Sequence, residues 1–256
     1  MTELLVALAE VAGLGQSFAL AALLVFLRTG AALALLPAFG EQSVPQRVRL
    51  VIALAFTGVV APAVAADLPA PTVLIAGTEV AAGLALGAVF RLFILALQIA
   101  GTIIAQATSL SQIAGGAAPE PQPAVGHLLT AAGLAIAVMA GLHVKVAEVL
   151  ILSYQVFPSG NLPTAAEFST WGLAHIARAF ALGFSLAAPF TIAALMYNLA
   201  LGAINRAMPS LMVSFIGAPA LSWGGLVLIA ALAPILLAVG SETFQAFLAG
   251  PFEIPR

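Results

Sequence analysis

Six apolar runs, at residues 11–36, 48–66, 73–105, 127–157, 171–200 and 210–239, leave this chain few ways to fold. Each is near or above the roughly 20 residues that a helix needs to cross a bilayer core. Charged residues make up only 7% of the chain and hydrophobic ones 62%, whereas a soluble domain carries about 25% charged residues. The expected fold is all-α: a polytopic, membrane-type protein of about six long helical segments.

Two of the runs are too long for a simple crossing. At 1.5 Å per residue, 73–105 would reach about 50 Å and 127–157 about 46 Å, against roughly 30 Å of hydrocarbon. They must tilt strongly, break, or project beyond the lipid. Proline and glycine punctuate the chain elsewhere: Pro37 and Pro45 bracket the first turn, DLPAP (67–71) marks the second, AGGAAPEPQP (114–123) the third and FPSGNLP (157–163) the fourth. No internal repeat divides the sequence.

The N-terminus carries Glu3 and Glu10 and no cation before Arg28. It therefore lacks the basic region of a cleavable signal peptide, and the first segment is expected to be retained. Arg47 and Arg49 at the first turn and Arg206 at the fifth fall on one side of a six-span arrangement. Lys and Arg in short loops favour the cytoplasm, which puts both termini outside, with Arg256 the contrary cation.

Arg28, Glu79, Arg91, Lys145, Glu148 and Arg178 interrupt the apolar runs. A charge at the centre of a lipid-exposed helix costs about 3 kcal/mol on insertion scales, so lipid is a poor neighbour for them. Lys145 and Glu148 are three apart and can pair on one helix. Glu79 and Arg91 are too far apart to do so and need partners on other helices or a water-filled path. For Arg28 and Arg178, snorkelling to the headgroups competes with burial. Gly83 and Gly87 form a GxxxG, and Gly133, Ala137 and Gly141 continue a small-residue face, as close helix packing requires.

Chemistry-bearing motifs are scarce. His127, His143 and His175 show no metal-ligand spacing, and there is no P-loop lysine and no GxGxxG. The two GxSxA strings, at 15–19 and 183–187, lie inside apolar helical runs, where the sharp strand-to-helix turn of a nucleophile elbow is not available. With no cysteine there are neither disulfides nor thiolate metal sites. No catalytic residue, cofactor or metal is expected, and a net charge of −2 gives no pull toward nucleic acid.

Three blocks carry a resemblance: SVPQRVRL (43–50), GLHVKVAEVLILSYQVFP (141–158) and, most specifically, MYNLALGAINRAMPSLMVSFIGAPA (196–220). In this order, over about residues 28–240, the chain resembles the FliR family, flagellar biosynthetic export-gate proteins related to a component of virulence type III secretion systems. Ser214 and Ala218 depart mildly from the pattern, and AGGAAPEPQP is smaller and richer in proline than the family's polar loop.

The resemblance implies a bacterial inner-membrane protein at the flagellar basal body, packed in a helical multi-subunit assembly with several copies of two other small membrane proteins. Together these form the channel by which unfolded secreted polypeptides enter. Residues 1–165 would resemble one partner and contain the plug loop; residues 166–256 would form a helical hairpin resembling the second. At the hairpin tip, Asn205, Arg206 and Pro209 would face a further export-apparatus membrane protein. Gly115, Gly116, Pro119, Glu120, Pro121 and Pro123 would form a plug that cannot become a helix and has little buried area to release. Glu79, Arg91, Lys145 and Glu148 would be buried among protein neighbours. Against this stand a connector that merely faces water at 114–123, a scaffold without a pore, and a self-contained secondary transporter using the intramembrane charges.

Overall fold

A computed structural model describes residues 2–41, 43–108, 124–161, 163–208 and 213–253. Among these are seven α-helices and no strand: α1 (Thr2–Leu35), α2 (Gln46–Val64), α3 (Val73–Ala107), α4 (Ala124–Met139), α5 (Leu142–Val156), α6 (Ala165–Ala207) and α7 (Val213–Ala249). By length and composition five of the described helices can cross a membrane, or six if α4 and α5 together count as one broken span.

The helix ends follow from local chemistry. Pro37 disfavours helical geometry in the residue before it and closes α1, and Pro45 precedes the first turn of α2. Between them Ala38 takes a left-handed φ of 68°. Thr72 caps α3 through its side-chain oxygen, which accepts from the Ile75 N–H at 3.3 Å. The sequence TAAE (164–167) forms a capping box. The Glu167 Oε2 accepts from the Thr164 N–H at 3.0 Å and its hydroxyl at 2.8 Å, and the Thr164 oxygen accepts from the Glu167 N–H at 3.3 Å. That cap starts α6 six residues before its apolar run, since an apolar-run criterion cannot see polar residues that are still helical.

Of the two overlong runs, 127–157 breaks. Gly141 has φ +82°, a left-handed conformation that glycine adopts without steric cost, and it separates α4 from α5. The run 73–105 stays one helix of 35 residues, about 52 Å long at 1.5 Å per residue.

The chain packs as two interleaved units. One comprises Met1–Arg91, Ala140–Ala174 and Gly250–Arg256; the other comprises Leu92–Met139 and His175–Ala249. In the first, α1 and α3 run parallel, because their contacts advance together. A Cβ on Gly83 would run into the Arg28 carbonyl, and one on Gly87 into the Ala32 carbonyl. The GxxxG thus brings α3 against the backbone of α1. Phe39 and Phe56 meet edge to face at 5.7 Å, and Phe157 packs against Trp171 and Phe252 at 5.9 and 5.5 Å.

In the second unit, Gly101 and Gly126 abut backbone to backbone, and Gly133 makes room for the Leu97 side chain. Phe93 stacks on Phe244 at 4.3 Å, and Tyr197 Oη donates to the Gly217 carbonyl at 3.0 Å, tying α6 to α7. The Ser222 hydroxyl donates to the Thr108 carbonyl at 3.3 Å, at the end of α3.

Candidate functional site

Among the described residues of the first unit, a buried polar cluster is built around Arg28 on α1 and Glu79 on α3, whose side chains are 1% and 0% exposed. Glu79 lies one turn before Gly83 on the same face of α3, so the glycine contact that closes the helices also delivers the carboxylate to the guanidinium. The pair is bidentate: Nε donates to Oε2 at 2.7 Å and an Nη2 hydrogen to Oε1 at 3.0 Å. Arg28 also donates from Nη1 to Ser153 Oγ at 3.1 Å and from Nη2 to the Phe157 carbonyl at 2.8 Å. Four of the five guanidinium N–H groups are thereby used, one from Nε, one from Nη1 and two from Nη2.

Glu79 is equally occupied. Besides Arg28 it accepts from Tyr154 Oη at 3.2 Å and from Ser159 Oγ at 2.6 Å. The Tyr154 ring stacks under the guanidinium, whose Cζ is 3.7 Å from the ring centroid. Ser153 Oγ in turn donates to the Leu150 carbonyl at 2.6 Å. A buried ion pair offsets its desolvation only when the remaining donors and acceptors are satisfied, and this network meets that condition. It ties together α1, α3, α5 and the connection after α5.

Arg91 also finds its partner away from α3. Its Nη1 donates to Glu41 Oε1 at 2.9 Å, in the turn after α1, with both side chains about a third exposed. Lys145 and Glu148 pair on α5 at 2.8 Å, yet their side chains are 50% and 57% exposed rather than buried. The reason is the orientation of α5, which turns Leu142, Val146, Val149 and Leu150 inward and leaves this pair on the opposite face. Arg178 is exposed on α6. Asn205 and Arg206 stand exposed in the last turn of α6, while Pro209 and the plug-loop positions Gly115, Gly116, Pro119, Glu120, Pro121 and Pro123 lie outside the described residues.

His127 and His143 are exposed, and His175 is buried edge-on against Phe247 at 5.4 Å. Ser17 and Ser185, the serines of the two GxSxA strings, sit within α1 and α6. Among the described residues no group of three or more His, Asp or Glu is placed to hold a metal.

Sequence reasoning singled out Glu79 but not its partners. Arg28 was set beside Arg178 as a charge for which snorkelling competes with burial and was not among the four expected to be buried, and Ser153, Tyr154 and Ser159 carry no local signal. The one usable clue was the GxxxG that starts four residues after Glu79.

The network falls inside a region shared with known proteins. The family of bacterial export proteins, family 1, matches residues 19–247. The flagellar biosynthetic protein FliR of Caulobacter vibrioides is 34% identical over 206 residues, covering 77% of this chain and 82% of that protein. This chain belongs to the FliR family of bacterial export proteins. Two other FliR-family relatives agree: FliR of Escherichia coli is 29% identical over 216 residues, 82% of this chain and 83% of its own length. FliR of Bacillus subtilis is 26% identical over 210 residues, 77% and 80% respectively. As a FliR-family chain with long apolar helices, it is a membrane protein of the export class.

Proposed function

We propose that this chain is an inner-membrane subunit of the flagellar type III export apparatus, forming with other membrane proteins the channel by which unfolded export substrates enter. The observation that carries the proposal is the family match over residues 19–247, together with FliR relatives that each align over more than three quarters of both chains. In this reading the chain acts as a structural subunit. Two small membrane proteins in several copies surround it, residues 1–165 resembling one and residues 166–256 the other. The tip at Asn205, Arg206 and Pro209 meets a further membrane component.

The segment 114–123 plugs the resting channel in this reading. Its prolines and paired glycines resist helix formation, and its small side chains give little contact to break when a polypeptide arrives. Both termini face the periplasm, with Arg47, Arg49 and Arg206 on the cytoplasmic side. The transporter alternative has Glu79, Arg91, Lys145 and Glu148 bind a solute or carry protons. The Glu79 carboxylate already accepts from Arg28, Tyr154 and Ser159, Arg91 pairs with Glu41, and Lys145 with Glu148, which supports the subunit reading.

The test is the native mass of the detergent-extracted complex after coexpression with neighbouring membrane genes. A large assembly with this chain as a minor component is expected, whereas a stable monomer or dimer in the presence of those partners would overturn the reading. Deleting residues 114–123 within that assembly is expected to raise small-ion leakage across the membrane.

A further inference from the structure

Beside the connection from α5 to α6 lies a cavity of about 430 Å³, within the size range of small-molecule sites. The residues that line it all belong to the first unit. Four aromatic rings are among them: Phe157 and Trp171 are buried, Phe168 is exposed, and Phe252 comes from the segment that follows α7. The spacing EFSTW (167–171) puts Glu167 and Trp171 one turn apart on the same face of α6, so a carboxylate and an indole reach the cavity together.

The rings are set at angles. Phe157 stands nearly perpendicular to Trp171 and to Phe252, at 77° and 83°, and Phe168 is tilted by 49° from Trp171. The space beside the upright of such a T is bounded by two ring faces. Trp171 Nε1 already donates to the Pro251 carbonyl at 3.2 Å, so the indole has its π surface left to offer.

Ring faces carry the negative part of the aromatic quadrupole and attract cations. Among the described residues that line the cavity, Glu167 alone is charged, and it is negative too. Its Oε2 is held by Thr164 in the capping box, while Oε1 has no hydrogen bond among the described residues. Behind Phe157, Arg28 is balanced by Glu79 and adds no net charge. An anion would be repelled by rings and carboxylate alike, and a neutral apolar guest would gain nothing from Glu167.

We infer that this cavity binds a substituted ammonium group, with its methyl or methylene surface against the rings and its charge beside Glu167. Free alkylammonium compounds and the amine headgroups of membrane lipids share that chemistry. The inference stands apart from the export reading, because its readout is binding to one chain.

Of the two tryptophans, Trp223 is 70% exposed on α7, and Trp223→Phe leaves Trp171 as the only fluorophore of its kind. Choline chloride is exchanged for potassium chloride around the full chain in a maltoside detergent, which carries no amine. A saturable change in Trp171 fluorescence is expected, half complete at about 10 mM or below. Dimethylbutanol, the isostere with carbon in place of the nitrogen, should need at least about five times more. Glu167→Gln keeps the capping box, since Gln serves at that position as Glu does, and should weaken choline by about threefold while leaving dimethylbutanol unchanged.

Equal half-points for choline and dimethylbutanol, a choline response that does not saturate, or a choline half-point unmoved by Glu167→Gln would each overturn the inference. Should the Gln variant not accumulate, Phe168→Leu, which removes one exposed ring, must weaken choline more than dimethylbutanol, and equal losses overturn it. Nanodiscs separate the two sources. If choline titrates Trp171 in phosphatidylglycerol but not once phosphatidylethanolamine is added, the lipid headgroup is the occupant; if it titrates equally in both, a free amine is.

Discussion

Two ion pairs of the same unit make the informative contrast. Arg28–Glu79 joins residues 51 positions apart in sequence, with both side chains almost wholly enclosed, Tyr154 and Ser159 donating to Glu79 and Ser153 accepting from Arg28. Lys145–Glu148 joins neighbours on one turn of α5, with both side chains half exposed. The distances are nearly equal, 2.7 and 2.8 Å. What differs is the medium: an enclosed charge that loses its partner has nowhere to recover solvation, while an exposed one is rehydrated where it stands. Contact distance is therefore a poor guide to importance, and burial is a good one.

The contrast breaks most visibly at its strong end. Glu79→Ala strands the Arg28 guanidinium and is expected to cost about 3–5 kcal/mol, read as a lower folded fraction on SDS titration of the detergent-solubilised chain. Little loss would mean that water reaches the network. Next come the glycines that close the seam. Gly83→Val puts a Cβ into the Arg28 carbonyl and should cost about 1–3 kcal/mol or more by forcing the helices apart. Gly30→Ala on α1 meets nothing within 4 Å and should stabilise by about 0.5–1 kcal/mol. The same titration compares the two, and equal effects would show that the seam is not tight.

Ser159→Ala removes one charge-assisted bond to Glu79 and should cost about 1.5–3 kcal/mol, with faster proteolysis at the connection after α5 as a second readout. At the weak end, Lys145→Ala should change the stability of the isolated chain by about 0.5 kcal/mol or less. A larger loss confined to the assembled complex would place a partner subunit against this face of α5.

Much of the fold was legible in the sequence because its information is local. Six apolar runs became helices, and the prolines at 37, 45 and 158 lie at the ends of helices or in the connections between them. The spacing of Lys145 and Glu148 specified a pair on one turn, and that pair formed. Gly141 carried a subtler signal: as part of a small-residue face it suggested continuation, yet it supplies the left-handed residue that breaks the run.

The candidate site was only half legible. Glu79 stood out as a charge that lipid would not accept, but its partner could not be chosen among several cations by spacing. That choice depends on which helices lie side by side. Nor could the sequence rank the charges by burial, since Glu79 and Glu148 look alike in their apolar surroundings and differ only in what packs over them.

The sequence by itself determined that this chain is a set of long apolar helices with a few charges that need protein or water beside them, because hydrophobicity and helix repeat act over neighbouring residues. The tertiary structure decided which charges met. Glycines at 83 and 87 let α3 approach α1 closely enough for Arg28 to reach Glu79, and α5 then turned Ser153 and Tyr154 inward and Lys145 and Glu148 outward. Enclosure is a property of the packed helices, and it gives one ion pair a structural role that an equally short exposed pair lacks.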